Sequence, residues 1–427
     1  MKVNVEEISL VKKKVHVEIP EEDVVKEIDA FYEDLKKKAK IKGFRQGKVP
    51  RDILERHFKD YVKAEVLQKL IEESYPKALS EVALSPVSHP VVDPQELEKG
   101  KPFQYVAIVE IKPNITLEAY VGLKIEGKKG EASDDEVEAR LKNLQNLHAQ
   151  LRTIPDARSI VSGDFVIIDY EAKMDGKPLD EAKGIDFTVE VGSERFIPAF
   201  EEKLIGLTPE EEKEFDVSFQ EDYGYPKWAG KTISFHVRIK EIKEKVLPPL
   251  DDEFAKDLGD YPSLGELRAK LREDIQKEKE RELDHQLKDQ VVDQLLKTNS
   301  FEIPESLVEE QTKVLVSDTK TRLASQGMDF KALGVSEEKL QGDYKEMAEK
   351  QVKTFLIIEK IAAQEGISVT DEEVEGRLRE ISEKTRQKFE VVKRHYEKNE
   401  LLPEMKAKIT SDKTLDFLLQ KSDITYV

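Results

Sequence analysis

The chain has 427 residues, 38% of them hydrophobic and 37% charged, with a formal net charge of −19; that length suits two to four domains, and that apolar content suffices to fold them. It has no cysteine, which excludes disulfides, thiolate nucleophiles and thiol metal ligands, and its seven histidines lie apart without ligand spacing, so no metal or other cofactor is expected. No run of eighteen apolar residues occurs and the opening MKVNVEEISL lacks a long apolar core, so we expect a soluble cytoplasmic chain with neither a membrane span nor a standard export signal.

Val3 to Ile19 alternates and is rich in Val and Ile, which predicts a strand. Pro20, then Glu21, Glu22 and Asp23, favour a helix start, and Val24, Val25, Ile28, Phe31, Tyr32 and Leu35 give that helix an apolar face. It runs into KKKAKIKGFRQGKVPR, residues 36–51, which holds eight Lys or Arg and no acid. The first 112 residues balance only with this patch included, with 21 basic and 21 acidic in all. A concentrated positive patch on an acidic chain points to an acidic partner; the plainer alternative is a solvated lysine-rich helix end. Gly43 and Gly47 bracket Phe44, Arg45 and Gln46 in a short exposed loop, and Pro50 stands where a new helix starts, predicted over Arg51 to Phe58 and followed by a longer one through Leu79. After SPVSHPVVDP, a strand predicted over Phe103 to Ile111 closes an α+β domain at residues 1–112.

Residues 113–153 form a connector. Ser133 and Glu136 make a capping box, and Val137, Leu141, Leu144, Leu147 and Leu151 predict one long helix. From Asp164 to Lys243 short alternating runs dominate (DFVIIDY, FTVEVG, KEFDVSF, TISFHVRI), with a turn at Asp175 and Gly176 and one short helix, Pro198 to Leu204, ended by Gly206. This predicts a compact β domain at residues 154–243. Residues 244–427 read as helical. Leu264, Leu267, Leu271 and Ile275, then Leu283, Leu287, Val291 and Leu295, trace one long helix, and others follow Pro304, Ser336, Thr370 with its capping partner Glu373, and Pro403. Five helices with thin apolar stripes suggest arms, although periodicity alone leaves a conventional bundle open.

Four blocks of the β domain, VSGDFVIIDYEAKMDGKPLDEA, FTVEVGSERFIPAFEEKLIGL, EDYGYPKWAGK and TISFHVRIKEI, resemble in order and spacing the FK506-binding type of peptidyl-prolyl isomerase, over residues 155–243. The resemblance implies a proline-binding cavity lined by Tyr170, Asp180, Phe187, Phe196, Ile197, Phe200, Tyr225 and Phe235. In that cavity the Ile197 N–H or the Tyr225 hydroxyl orients a substrate carbonyl, and Asp180 polarises the rim. Leu179 stands where the family has Phe, and Phe200 where it has Trp, departures that bear on drug-like ligands more than on activity. The aromatics read equally well, one by one, as the core of the sheet.

With its flanking regions the whole chain resembles the trigger factor family of bacterial ribosome-associated chaperones. The fold implied is multidomain α+β: an N-terminal α+β ribosome-binding domain, an antiparallel isomerase domain with a short helix, and an all-α C-terminal chaperone domain with long arms. Residues Gly43, Phe44, Arg45, Gln46, Gly47 and Lys48, followed by Val49 and Pro50, match the family's ribosome-binding signature, with Phe44, Arg45 and Lys48 at its contacting positions. The resemblance further implies that residues 113–150 and 244–427 join as one discontinuous domain. Its implied partners are a large-subunit protein and rRNA near the exit tunnel, nascent and unfolded polypeptides, and a weak homodimer off the ribosome, with no membrane. Two other readings of the residues stay open: a free-standing prolyl isomerase with appendages, and a holdase whose isomerase pocket is vestigial.

Overall fold

The structure, a computed structural model, describes residues 1–42, 44–98, 100–154, 158–225, 227–326 and 336–427, with the backbone but not the side chain of Asp180. It divides into two compact units, one of residues 1–128 with 284–427 and one of residues 129–283.

In the first unit β1 (Lys2–Glu7) and β2 (Lys12–Ile19) form an antiparallel hairpin. The single strand expected over 3–19 is therefore two. Alternation resumes after a turn that contains neither Gly nor Pro, in which the Ser9 N–H donates to the Lys12 carbonyl (3.0 Å). Next come α1 (Glu21–Lys38) and α2 (Arg51–Glu81). The latter is one helix where two were expected, because no Gly or Pro stands at the expected break after Phe58 and Leu54, Val62, Val66, Leu70 and Ala78 continue one buried stripe, which runs on past Pro76. With β3 (Val91–Pro94) and β4 (Phe103–Glu110) the sheet order is β1-β2-β4-β3, antiparallel throughout. Val15, Val17 and Ile19 of β2 and Phe103, Tyr105, Ala107 and Val109 of β4 pack with α1 and α2 in one core. Beyond it lies β5 (Lys124–Gly127).

In the second unit α3 (Asp134–Leu147) opens with the expected capping box of Ser133 and Glu136. It ends a turn early, and Leu151 lies instead in β6 (Gln150–Thr153). Val137 and Leu141 are buried whereas Leu147 is 80% exposed, so the leucine spacing outruns the surface the helix packs on. Then follow β7 (Phe165–Met174), β8 (Lys177–Glu190), α4 (Pro198–Leu204), β9 (Glu212–Ser218) and β10 (Thr232–Val246). Their sheet runs β6-β10-β7-β8, with β9 also paired to β10, and every pairing is antiparallel. The β7–β8 turn has Asp175 and Gly176 at φ 52° and 79°, the left-handed pair that a two-residue hairpin needs. A separate core joins Val137 and Leu141 to Phe254 of α5 (Asp252–Leu258) and to Leu267 and Leu271 of α6 (Leu264–Thr298).

The remaining helices are α7 (Glu305–Ser325), α8 (Glu337–Glu365), α9 (Asp371–Thr385), α10 (Phe389–Lys398) and α11 (Leu402–Gln420), followed by β11 (Asp423–Tyr426). Helices α5 and α10 add to the five expected, being too short to establish a period. The connector and the C-terminal helices meet within the first unit: Ile115 is buried with Val352 and Leu356 of α8, and β5 pairs in parallel with β11, Ile125 opposite Ile424.

Candidate functional site

Three strands, one short helix and the segment before it bring a set of rings together. Tyr170 (β7), Phe187 (β8), Phe196 (just before α4), Phe200 (α4) and Phe235 (β10) were all expected at the cavity, and their ring centroids form a continuous network. Tyr170 lies 5.5 Å from Phe187, 6.0 Å from Phe196 and 6.1 Å from Phe200, and Phe196 lies 5.2 Å from Phe187 and 5.3 Å from Phe200. Phe200 and Phe235, 5.1 Å apart, are 0% exposed, so they form the floor; Tyr170, Phe187 and Phe196 are half-buried and form the wall. Most of these pairs are edge-on or tilted, the arrangements that ring quadrupoles favour by about 0.5–1.5 kcal/mol each beyond simple burial. Burial pushes the Tyr170 phenol pKa up, which keeps it a neutral hydroxyl.

Local backbone features set this wall. Opposite Tyr170, β8 carries a bulge: Ile168 pairs with Phe187 but Tyr170 with Gly184, and Asp186 between them takes a left-handed φ of 55°. The Asp169 carboxylate accepts the Asp186 N–H at 2.8 Å, and Lys240 bonds to Asp186 and lies 3.3 Å from Asp169. At Gly184 a Cβ would stand 2.6 Å from the Tyr170 ring, so a larger residue there would push that ring from its place. Near the start of β7, Asp164 accepts two bonds from Arg158 (2.6 and 2.7 Å) and one from the Val161 N–H (2.9 Å). Burial acts to raise the Asp164 pKa, but those three donors outweigh it and hold the carboxyl below its usual range.

Ile197 is buried at the N-cap of α4, and among the described residues nothing accepts its N–H. Tyr225 is not part of the ring network. It is 41% exposed and packs at 5.3 Å on Trp228, which continues through Phe219 to Tyr223 as a second aromatic cluster. The side chain of Asp180 lies outside the described residues. Leu179 packs partly buried against the same core. Two participants were not foreseen. Phe215 of β9 sits 5.3 Å from Phe200 and completes the floor; its place in the alternating KEFDVSF run could have signalled it. Glu201 of α4 is 1% exposed, and nothing in PAFEEKL separates it from its solvent-facing neighbour Glu202.

The basic stretch is a second candidate site. Lys36, Lys37 and Lys38 close α1, where cations complement the helix dipole. Lys36 and Lys38 face acids one turn back, Glu33 and Asp34. Arg51 is engaged with Asp29 (2.6 Å) and Glu55 (2.8 Å) and lies over the Tyr32 ring. Lys37, Lys40, Lys42, Arg45 and Lys48 have no ion-pair partner among the described residues. The Lys48 N–H donates to the Arg45 carbonyl (2.9 Å) across a turn with Gly47 at φ 81°, where a type II turn demands glycine. Gln46 donates its amide to the Lys37 carbonyl (3.1 Å), folding the loop back on the end of α1. Val49 is fully buried beneath it, while Phe44 is 42% exposed and Arg45 and Lys48 are exposed. Gly43 lies outside the described residues.

Three family models match. Residues 1–144 match "Bacterial trigger factor protein (TF)", residues 263–420 its C-terminus, and residues 156–240 "FKBP-type peptidyl-prolyl cis-trans isomerase". The chain is 38% identical over its full length to a trigger factor of Geotalea uraniireducens, covering 99% of that protein, and 38% identical to one of Geobacter sulfurreducens, again covering 99%. Among solved structures it is similar, with a TM-score of 0.53 and 22% identity over 99% of this chain and 100% of the other, to one described as "Promiscuous Substrate Recognition in Folding and Assembly Activities of the Trigger Factor Chaperone".

Proposed function

The chain belongs to the trigger factor family, a ribosome-associated chaperone with peptidyl-prolyl isomerase activity, and from that premise we propose which of its residues do each task. The ring network of Tyr170, Phe187, Phe196, Phe200 and Phe235 is the proline site, with Ile197 supplying a backbone N–H. The observation that carries this assignment is a half-buried aromatic wall beside an N–H that has no partner among the described residues.

The mechanism follows from amide resonance. A peptide bond resists rotation by about 18–20 kcal/mol because the C–N bond has partial double-bond character, and twisting it removes that resonance and much of the carbonyl's charge separation. An apolar wall therefore favours the twisted amide over the planar one relative to water, and that difference lowers the barrier. No proton moves, so no acid, base or nucleophile is needed. The Ile197 N–H holds the substrate carbonyl in place while the floor of Phe200 and Phe235 keeps water out. Tyr225, on its separate cluster, serves as an outer contact for residues flanking the proline.

The loop Phe44 to Lys48 is the ribosome contact, meeting a large-subunit protein and rRNA at the exit tunnel of a cytoplasmic ribosome. The C-terminal helices hold nascent and unfolded chains, and a weak homodimer forms off the ribosome. Phe44 offers an apolar anchor and Arg45 and Lys48 uncommitted charges for phosphate or carboxylate. Turnover of a proline peptide by Phe196→Ala, together with ribosome co-sedimentation of the Phe44, Arg45 and Lys48 triple alanine variant, tests the two assignments separately. Unchanged turnover in a folded Phe196→Ala protein removes the pocket, and undiminished co-sedimentation returns the loop to a solvated helix end.

A further inference from the structure

We propose that Glu201 is a positioning residue of the isomerase site: its buried carboxylate holds the segment Glu194 to Ile197 in the shape that makes the pocket wall. The inference rests on the assignment of the ring network as the proline site. One carboxylate oxygen accepts the Phe196 N–H at 3.0 Å and the other accepts the Glu194 N–H at 3.0 Å. Both bonds fasten a segment that has no regular structure of its own and in which Glu194, not a glycine, takes a left-handed φ of 58°. Phe196, so held, presents its ring to Tyr170 and Phe187, and the next residue offers the Ile197 N–H, which nothing accepts among the described residues.

Position 201 is enclosed by the core that contains Phe200 and Leu204, where an apolar residue would be the inexpensive choice. A carboxylate taken out of water is retained only where donors replace its hydration, and here the replacing donors are the two backbone N–H groups of the wall. Removing an acceptor leaves a partly buried N–H unpaired in the closed segment but hydrated in an open one, so the equilibrium moves toward open. Substrate binds the closed form, and its apparent affinity falls by the fraction that remains closed.

Glu201→Gln keeps one acceptor and turns an amide donor toward the other N–H. The expected result is a KM for a proline peptide raised on the order of tenfold with kcat at saturation unchanged. A role in overall stability predicts the opposite split, because globally unfolded protein lowers the active fraction, and so kcat, without altering the KM of the molecules still folded. Phe196→Ala is measured in parallel. If that variant loses activity while a folded Glu201→Gln protein retains wild-type KM, the positioning role fails and the pocket stands. If neither changes, both fall. A second measurement needs no variant: in the wild-type chain the Glu194 and Phe196 amides should exchange slowly with solvent, and exchange at unprotected-loop rates overturns the inference even if Glu201→Gln does not fold.

Discussion

The two candidate sites are built on opposite physical plans. The wall and floor of the isomerase site are made of side chains taken from four strands, a helix and the segment before it, packed against one another. The loop at 44–48 is one contiguous stretch held from beneath by Val49 and at its side by Gln46, with its working groups pointing into water. The first acts through what it excludes. The second acts through what it leaves unpaired, since its neighbours Lys36, Lys38 and Arg51 face carboxylates while Arg45 and Lys48 meet none among the described residues. A site made by burial should ignore salt and pH and break when a ring is removed; a site made by exposure should tolerate local change but yield to screening.

The largest expected effect tests the exposed site. Replacing Phe44, Arg45 and Lys48 together by Ala should weaken ribosome binding on the order of a hundredfold or more, as truncation of clustered anchors does, with turnover of a proline peptide within about twofold of wild type. Loss of turnover in the same variant would break the separation between the two plans.

Phe196→Ala tests the buried site and should lower kcat/KM roughly ten- to a hundredfold, the scale on which a displaced contact group costs rate. His236→Ala serves as its control, because His236 lies outside the ring network, its Nε2 3.6 Å from Glu212. The rate should be flat with pH around neutrality, since no group titrating there takes part. A bell-shaped profile would mean that proton transfer, and not burial, carries the reaction.

Salt sharpens the contrast. Exposed charges are screened beyond about 8 Å at physiological ionic strength, so tripling the salt should weaken ribosome co-sedimentation by about tenfold if two or three cations meet phosphate, whereas kcat/KM for a neutral peptide should not move. Equal sensitivity of both would collapse the distinction.

The smallest effect extends the comparison to an exposed charge with a purely structural task. Lys279, and then the Ser133 N–H and hydroxyl, lower the Glu136 pKa from 4.5 to about 2. Because the folded value is depressed, its stabilising contribution is present above 4.5 and is lost as pH falls toward 2. Glu136→Gln should therefore reduce the loss of helix signal across that window in circular dichroism, and an identical acid profile would show that the capping box contributes nothing measurable.

Much of this was legible in the chain itself. The capping boxes at Ser133 and Thr370, the Asp175–Gly176 turn and the Pro198–Leu204 helix depend on residues close in sequence, and each stands as expected. The loop was legible for the same reason: its glycine, its cations and its aromatic are consecutive. Errors fell where a local pattern met a distant partner or lacked a breaker. Leu147 and Leu151 continue a helical spacing that the packing surface does not extend to receive, and the turn at residues 8–11 interrupts an alternation without Gly or Pro to mark it.

Composition and local spacing thus determined the kinds of element, the absence of thiol chemistry and the position of an exposed basic loop, because these follow from interactions within a few residues. Only the tertiary structure decided that Phe215 completes the pocket floor while Tyr225 stands apart on Trp228, that Arg51 is spent on Asp29 and Glu55, and that Glu201 turns inward where Glu202 does not. Those outcomes depend on which groups from distant segments are brought within bonding distance when water is removed, and the cost of leaving a buried polar group unpaired selects among arrangements that look alike along the chain.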